Sequence, residues 1–142
     1  MRNTYEKISD IENEDAVMEY LGTEQYPFPK FARIDRAVVR DGAVTFVEVK
    51  CRTNPSNQYD TYMISETKWD ALRAVASLCK AASYLVVRFT DKIMSCRVDV
   101  LFDFDVDIRK GGRTDRHDEK DVETCVFIPM RFWREVTPKE TT

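Results

Sequence analysis

The chain has 142 residues, of which 43% are hydrophobic and 33% are charged, and its formal net charge at pH 7 is −3. These proportions are typical of a globular domain with its own core, and they exclude a disordered chain. No apolar run approaches ~18 residues, which excludes a membrane-spanning helix. The opening residues, MRNTYEKISDIENED, lack the apolar segment of a signal peptide, so we expect a cytoplasmic protein.

The cysteines and the distribution of charge give further information on the class of protein. The cysteines lie far apart without any Cys-x-x-Cys spacing, so we expect buried, reduced thiols rather than zinc ligands or disulfides. They are Cys51, Cys79, Cys96 and Cys125. The acidic net charge does not favour nucleic acid as a partner, but residues 30–52 carry six basic and three acidic side chains. The basic character of the chain is concentrated in this stretch.

The first predicted element is a helix. The motif Ser-Asp-Ile-Glu at positions 9–12 fits a capping box and predicts a helix from about Asp10 to Leu21, which Gly22 ends. The apolar stripe of this helix comprises Ile11, Met18 and Leu21. Glu14 falls inside that stripe at helical spacing. Residues 23–29 contain two prolines, so we expect an extended segment with room for a short strand.

Residues 30–52 predict a β-hairpin. Its strands run from Lys30 to Arg40 and from Ala43 to Cys51. The turn between them is Asp41-Gly42, a strong hairpin signal because glycine takes the positive φ that such turns need. Side chains alternate along a strand, so the even positions of the second strand share one face. They are Val44, Phe46, Glu48 and Lys50, which places a carboxylate beside an ammonium group.

The next predicted elements are a helix and a second pair of strands. Ser65 is a good N-cap for a helix from Glu66 to about Ala82. The apolar stripe of this helix comprises Trp69, Leu72, Val75, Ala76, Cys79 and Ala82. Residues Ser83 to Thr90 form a nearly continuous apolar run, which predicts a strand in a sheet covered on both faces. Residues Ile93 to Phe102 are the predicted hairpin partner of that strand.

The C-terminal part of the chain is more polar. Residues Lys110 to Glu123 include two glycines and are predicted to form a mobile loop. This loop holds the only histidine, His117, which we expect to be solvated rather than catalytic. A last strand is predicted from Thr124 to Ile128, followed by a short helix from Pro129 to about Val136 and a frayed tail.

The charged residues of the first hairpin resemble the motif of the PD-(D/E)XK, or restriction-endonuclease-like, nuclease superfamily. The superfamily pattern has an Asp on one strand and a Glu-x-Lys on the next. Asp35 matches the Asp, and Glu48-Val49-Lys50 matches the Glu-x-Lys. Ile34 stands where the family name has Pro, at a position that varies in the superfamily.

The resemblance implies an α/β fold. The predicted order of elements over about residues 10–90 is similar to the superfamily core, α-β-β-β-α-β, in which helices flank a mixed sheet. Residues from about 91 to 136 would form a C-terminal β-hairpin extension, within a single domain spanning residues 1–142. The chain as a whole is also similar to small nuclease-like proteins of bacteriophages, which implies a bacterial or phage-infected cell.

The resemblance further implies a Mg²⁺-dependent nuclease that hydrolyses phosphodiester bonds in DNA. Asp35 and Glu48 would bind Mg²⁺, for which Mn²⁺ can substitute, together with the backbone carbonyl of Val49. Lys50 would orient or deprotonate the attacking water. In many members the first helix supplies a further acidic ligand, and Glu14 is the candidate here.

Four other residues are candidates for contacts with DNA. Related nucleases often place a Lys early in the second helix, aimed at the active site, and Lys68 would lie near the scissile phosphate, at the positive end of its helix. Three basic residues of the hairpin would bind nucleic acid: Arg33, Arg36 and Arg52. Cleaving two strands needs two sites, so a homodimer is compatible with this function.

Alternatives stay open for the chain and for single residues. A non-catalytic nucleic-acid-binding or regulatory module could share this fold, because fold does not determine function. An interaction protein would instead leave Glu48 and Lys50 facing solvent without a cleft. Glu14 and Lys68 are also compatible with ordinary solvated side chains. Two tyrosines beside the basic stretch, which could stack on bases or simply pack, are Tyr59 and Tyr62.

Overall fold

The computed structural model describes residues 13–22, 24–27, 36–112 and 122–138. The helices and strands in these ranges are, in chain order, α1 (Glu14–Leu21), β1 (Glu24–Pro27), β2 (Arg36–Arg40), β3 (Ala43–Cys51), β4 (Thr61–Ser65), α2 (Glu66–Cys79), β5 (Ala82–Arg88), β6 (Ile93–Arg97), β7 (Asp107–Gly112), β8 (Val122–Pro129) and β9 (Arg134–Glu135). Two short 3₁₀ helices span Asp103–Asp105 and Met130–Phe132. Within the described residues, no helix is long and apolar enough to cross a membrane.

The strands form two sheets. The main sheet has six strands in the order β1-β2-β3-β5-β6-β9, and the second has three in the order β4-β8-β7. All neighbours in the main sheet are antiparallel except β3 and β5, which are parallel and are joined by a crossover through β4 and α2. The elements α1, β1, β2, β3, α2 and β5 therefore make the restriction-endonuclease-like core, and the strands after β5 extend it. The predicted fold class is confirmed.

The hairpin of β2 and β3 forms as predicted around its turn, and residues 30–35 of the predicted first strand lie outside the described residues. Asp41 and Gly42 both have positive φ, at 52° and 78°, and this pair of values suits the two-residue turn that matches the twist of a hairpin. The pairing of Arg40 with Ala43 closes the hairpin directly next to the turn. The bounds of β3 agree with the predicted strand at both ends.

Helices cover the main sheet on both faces. On one face, α1 packs its apolar stripe on β3 and its neighbours, and the buried residues there are Val17, Met18, Leu21, Val38, Val47, Val49, Val86 and Ile93. On the other face, α2 and the second sheet bury a larger cluster that includes Phe46, Tyr62, Trp69, Leu72, Leu85 and Ile128. Because β3 is covered on both faces, its residues 46–49 are all buried, although their side chains alternate in direction.

The first helix begins later than the sequence predicts. Asn13 has an extended backbone, with φ −129° and ψ 164°, and its side chain accepts a backbone N–H of the first turn at 2.8 Å. It is therefore the N-cap, and the helix begins at Glu14 instead of Asp10. The predicted capping box at positions 9–12 lies outside the described residues. Gly22 ends the helix in the left-handed conformation, as predicted.

The second helix ends earlier than predicted. Lys80 adopts a left-handed conformation, with φ 51°, and serves as the C-cap, while Ala82 already belongs to β5. The last helical residue, Cys79, is consequently exposed, and the prediction that it is buried is wrong. Cys96 and Cys125 are buried, and all four thiols are free.

Strands replace part of the predicted C-terminal loop. Residues 107–112 pair with residues 122–127, so the ends of the segment predicted as a loop are ladder residues of the second sheet. Lys110, for example, pairs with Thr124. The polar side chains of these strands face solvent at an edge of the molecule. Their sequence therefore lacks the apolar alternation by which a strand is usually predicted. His117 lies outside the described residues.

Two further predictions about the C-terminal region are wrong. The hairpin partner of β5 ends at Arg97 instead of Phe102, because the chain turns at residues 98–101. The helix predicted from Pro129 to Val136 is one 3₁₀ turn followed by β9, and β9 pairs with β6 at the edge of the main sheet.

Candidate active site

The candidate site begins at a buried carboxylate on β3. Glu48 has the same side-chain direction as Phe46, towards α2, and is only 1% exposed. A carboxylate in so apolar a setting requires cationic partners, since an isolated buried charge is strongly unfavourable.

Two lysines supply that positive charge. The Nζ atom of Lys68 lies 3.0 Å from Oε1 of Glu48, and the Nζ atom of Lys50 lies 3.6 Å from the same oxygen. The Nζ atom of Lys50 also lies 3.7 Å from Oε1 of Glu14. Acidic and basic groups thus alternate in the Glu48 cluster, defined here as Glu14, Glu48, Lys50 and Lys68.

Each member of the Glu48 cluster is positioned by a different element. The hydroxyl of Ser65 caps α2 by accepting the backbone N–H of Lys68 at 3.2 Å, which places Lys68 in the first turn of the helix. Trp69 and Leu72, on the buried stripe of α2, fix the helix against the sheet. Glu14 comes from the first turn of α1, on the other face of the sheet.

The cluster opens from the protein interior towards solvent. The exposed fraction rises from 1% for the Glu48 side chain to 24% for Lys68 and 38% for Lys50. Lys50 and Glu14 border a cleft of about 520 Å³, which is also lined by Asn13, Asp15, Cys51 and Arg52. The alternative of an interaction protein, in which Glu48 and Lys50 would face solvent without a cleft, is therefore wrong. Glu48 is buried, and a cleft lies beside Lys50.

The charges of the Glu48 cluster affect the pKa of neighbouring titratable groups. The pKa of Tyr62 is raised to about 12, chiefly by burial; the Arg52 guanidinium opposes this rise, and the carboxylates of Glu48 and Glu14 add to it. Burial also raises the pKa of the Cys51 thiol, against the opposing charge of Arg88. Tyr62 therefore lies within the electrostatic reach of the Glu48 cluster.

The predicted DNA contacts of the arginines have different outcomes. Arg36 is only 4% exposed and its guanidinium lies 3.3 Å from the carboxylate of Asp15 on α1, which argues against contact with a phosphate. Its ion pair links β2 to α1 instead. Arg33 lies outside the described residues. Arg52 is half-buried, lines the cleft and lies over the ring of Tyr62, with Cζ 5.3 Å from the ring centroid.

The predicted metal ligands are only partly described. Asp35 lies outside the described residues, although the next residue, Arg36, pairs with Val47, which precedes Glu48. Val49 is fully buried, and the role of its carbonyl stays a prediction. In the part of the chain that the structure describes, His, Cys, Asp and Glu form no group of three or more that could hold a metal ion.

Fold and cluster together define a class, the nucleases of the PD-(D/E)XK superfamily. The model of the family described as "Phage putative PDDEXK endonuclease" matches residues 1–136, and the chain belongs to this family. The resemblance predicted from the hairpin motif is confirmed.

A solved structure supports the fold independently. The chain is similar to Hjc, a Holliday junction resolvase of the archaeal hyperthermophile Archaeoglobus fulgidus, with a TM-score of 0.54. The sequence identity is 16%, and the similarity covers 86% of each chain, so it concerns the fold alone. No protein of curated function matches the chain.

Proposed function

We propose that this protein is a divalent-metal-dependent nuclease that hydrolyses phosphodiester bonds in DNA. The observation that carries the proposal is the buried carboxylate of Glu48, with the Nζ atom of Lys68 at 3.0 Å and that of Lys50 at 3.6 Å. A structural role alone does not require a buried carboxylate shared by two lysines at the mouth of a cleft. Desolvated charges with specific charged partners beside a cleft are typical of functional sites.

The donor atoms of the site fit a hard divalent cation. Glu48 and Glu14 offer carboxylate oxygens, and Asp35 and the carbonyl of Val49 would complete an all-oxygen set of the kind that Mg²⁺ or Mn²⁺ prefers. When bound, such a cation makes its water more acidic and offsets charge on the phosphate. Glu14 would join the set only by giving up its contact with Lys50, so its role as a ligand is the less direct one.

The two lysines have separate roles in the proposed reaction. Lys50 reaches the cleft, where its ammonium group can hold the attacking water and take part in moving its proton. Lys68 contacts the same oxygen of Glu48 from the first turn of α2, where it would stabilise the negative charge that develops on the phosphate.

Cleavage assays with the purified chain test the proposal. We expect cleavage of DNA with Mg²⁺ or Mn²⁺ and none with EDTA. Asp35→Asn and Lys50→Ala should each reduce the rate by about 100-fold or more, as expected when a group that contacts the reacting atoms is removed. Unchanged activity in either variant would contradict the assigned roles. Binding without cleavage, on every DNA and metal tried, would favour the non-catalytic module.

The substrate is tested with a panel of DNA forms: linear duplex, single strand, flap and four-way junction. The likeness to Hjc is the reason to include the junction, because that protein is a Holliday junction resolvase. Symmetrical cutting of both strands of a junction would require two active sites, and hence a homodimer. Sedimentation of the same sample with and without junction DNA would show whether the chain dimerises.

A further inference from the structure

A second cavity lies between the C-terminal ends of β3 and β5 in the main sheet and the strands of the second sheet. Its volume is about 440 Å³, within the roughly 300–1,000 Å³ that is usual for small-molecule sites. This volume admits a single nucleotide but excludes a duplex. The residues that define its chemistry are Arg52, Ser56, Tyr59, Tyr62, Arg109 and Phe127.

Aromatic rings and guanidinium groups dominate the wall of this cavity. The ring of Tyr59 is on the surface, with 61% of the residue exposed, and the amide of Gln58 donates a hydrogen bond to its hydroxyl at 3.1 Å. The guanidinium of Arg109 lies on the ring of Phe127, with Cζ 3.8 Å from the centroid. Exposed rings and planar cations of this kind stack on nucleobases, because every base presents a π-face.

One polar group of the wall has no hydrogen-bond partner among the residues that the structure describes. Tyr62 is 6% exposed and lines the cavity, and its hydroxyl makes no hydrogen bond to any residue that the structure describes. Buried hydroxyl groups are normally satisfied, so a ligand that offers a hydrogen-bonding edge would complete this one.

The cavity shares one lining residue, Arg52, with the cleft of the candidate active site. Arg52 lines both this cavity and the cleft beside Lys50, and it lies two residues after Lys50 on the chain. A nucleotide in the cavity would therefore be a near neighbour of a phosphate held at the Glu48 cluster.

From these contacts we infer that the cavity binds one unpaired nucleotide of the DNA, next to the phosphodiester that is cleaved. The base stacks against Tyr59 and Arg109, and Arg52 holds the phosphate that links this nucleotide to the reacting one. The inference rests on the proposed nuclease function and specifies its substrate class. The preferred DNA has an unpaired base near the cut, and a fully paired duplex is a poor substrate.

The test is a binding measurement in EDTA, where no cleavage occurs. Two DNA duplexes of the same sequence are compared, one fully paired and one with a single unpaired 2-aminopurine. We expect the unpaired probe to bind about 10-fold more tightly, in the range of one stacked base, with quenching of 2-aminopurine fluorescence. Tyr59→Ala and Arg109→Ala should each remove most of this preference, so that the paired and unpaired probes bind with similar affinity.

Two controls separate this inference from the proposed function. Phe104→Ala removes another exposed aromatic side chain, one that does not line the cavity, and should keep the preference. Lys50→Ala should lose cleavage but also keep the preference. Cleavage by the wild-type protein, without preference for the unpaired probe and without fluorescence quenching, would overturn the inference but not the nuclease function. Preference without any cleavage, in any metal, would overturn the nuclease function and leave the nucleotide site.

Discussion

The two sheets of this molecule use charge in opposite ways. In the main sheet, the carboxylate of Glu48 is buried and two lysines contact it, so the charges are paired within the protein. In the second sheet, the guanidinium of Arg109 lies on the ring of Phe127 at the wall of an open cavity. The first arrangement suits ions and phosphate, whereas the second suits a flat, weakly polar base.

The comparison of the two sheets indicates how a sheet added to a shared core can determine the substrate on which that core acts. The core elements supply the Glu48 cluster. Tyr62, Arg109 and Phe127 of the cavity come from β4, β7 and β8, none of which belongs to that core, whereas Arg52 and Tyr59 lie in the segment that joins β3 to β4. Arg52, directly after β3, is where the two regions meet. On this view the core determines the chemistry, and the second sheet selects the DNA on which it acts.

The largest expected effect comes from Glu48→Gln, which keeps the shape of the side chain but removes its charge. Both lysines lose their anionic partner, and a hard oxygen ligand is weakened. We expect a loss of cleavage of about 1,000-fold and a loss of measurable Mg²⁺ binding in calorimetry, with the cavity preference for an unpaired base retained. Metal binding unchanged from wild type would show that Glu48 is a structural residue.

Lys68→Ala should have the next largest effect. The variant removes the ammonium group 3.0 Å from Glu48, and we expect cleavage to slow by about 10- to 1,000-fold with folding intact. Lys80→Ala is the matched control, because Lys80 caps the far end of the same helix and is exposed. If the two variants cleave DNA at the same rate, Lys68 is not part of the site. The view that the core determines the chemistry would then lack one of its two lysines.

The sequence predicts the main sheet far better than the second sheet. The hairpin of β2 and β3 is determined locally, by an Asp-Gly turn and by side chains that alternate, so the bounds of β3 follow from the sequence. The contact of Lys68 with Glu48 joins residues twenty positions apart, and only the resemblance to known nucleases suggested it. The packing of Arg36 on Asp15 depends on how α1 meets the sheet, which no local pattern reveals.

The second sheet could not be predicted for a physical reason. Its strands β4 and β8 are more than fifty residues apart in the chain, and their pairing depends on the whole core being assembled. The exposed edge strand β7 carries charges and glycines, which are typical of a loop. Arg109 and Phe127 were therefore missed as candidate binding residues. The only sequence signal for the cavity was the pair of tyrosines beside the basic stretch.

A smaller effect is expected at the loop that borders the cavity. Asp91 accepts hydrogen bonds from the backbone N–H of Ser56 at 2.8 Å and from its hydroxyl at 2.7 Å. Partial burial raises the pKa of Asp91, but the hydrogen bonds from Ser56 lower it by more, and the pKa lies below its usual value of 3.8. Because Asp91 is exposed, we expect Asp91→Ala to lower the free energy of unfolding by only about 1 kcal/mol at pH 7.

The pH dependence of that loss tests its cause. A carboxyl group whose pKa is lower in the folded state stabilises the fold above its unfolded pKa, and this contribution disappears as pH falls through the folded pKa. The difference between Asp91→Ala and wild type in urea denaturation should therefore shrink below about pH 3.8. Asp70→Ala, which removes an exposed acidic side chain on α2, is the control. A difference that stays constant with pH would rule out the hydrogen bonds as its source.

The smallest expected effect is at Tyr62, where the two regions of the molecule meet. Its buried hydroxyl has no hydrogen-bond partner among the described residues, whereas its ring packs edge-on against Trp133, with centroids 5.1 Å apart. Tyr62→Phe keeps the ring and removes the unsatisfied group, so the free energy of unfolding should stay constant or rise by up to about 1 kcal/mol. Urea denaturation measures this change, with Tyr59→Phe as the control for loss of an exposed hydroxyl.

Tyr62→Phe should also bind the DNA with an unpaired base more weakly than wild type, since the hydroxyl that the base would satisfy is gone. A clear loss of stability without DNA would instead show that the hydroxyl is already satisfied within the protein, and the cavity would then lack the polar group that favours a base.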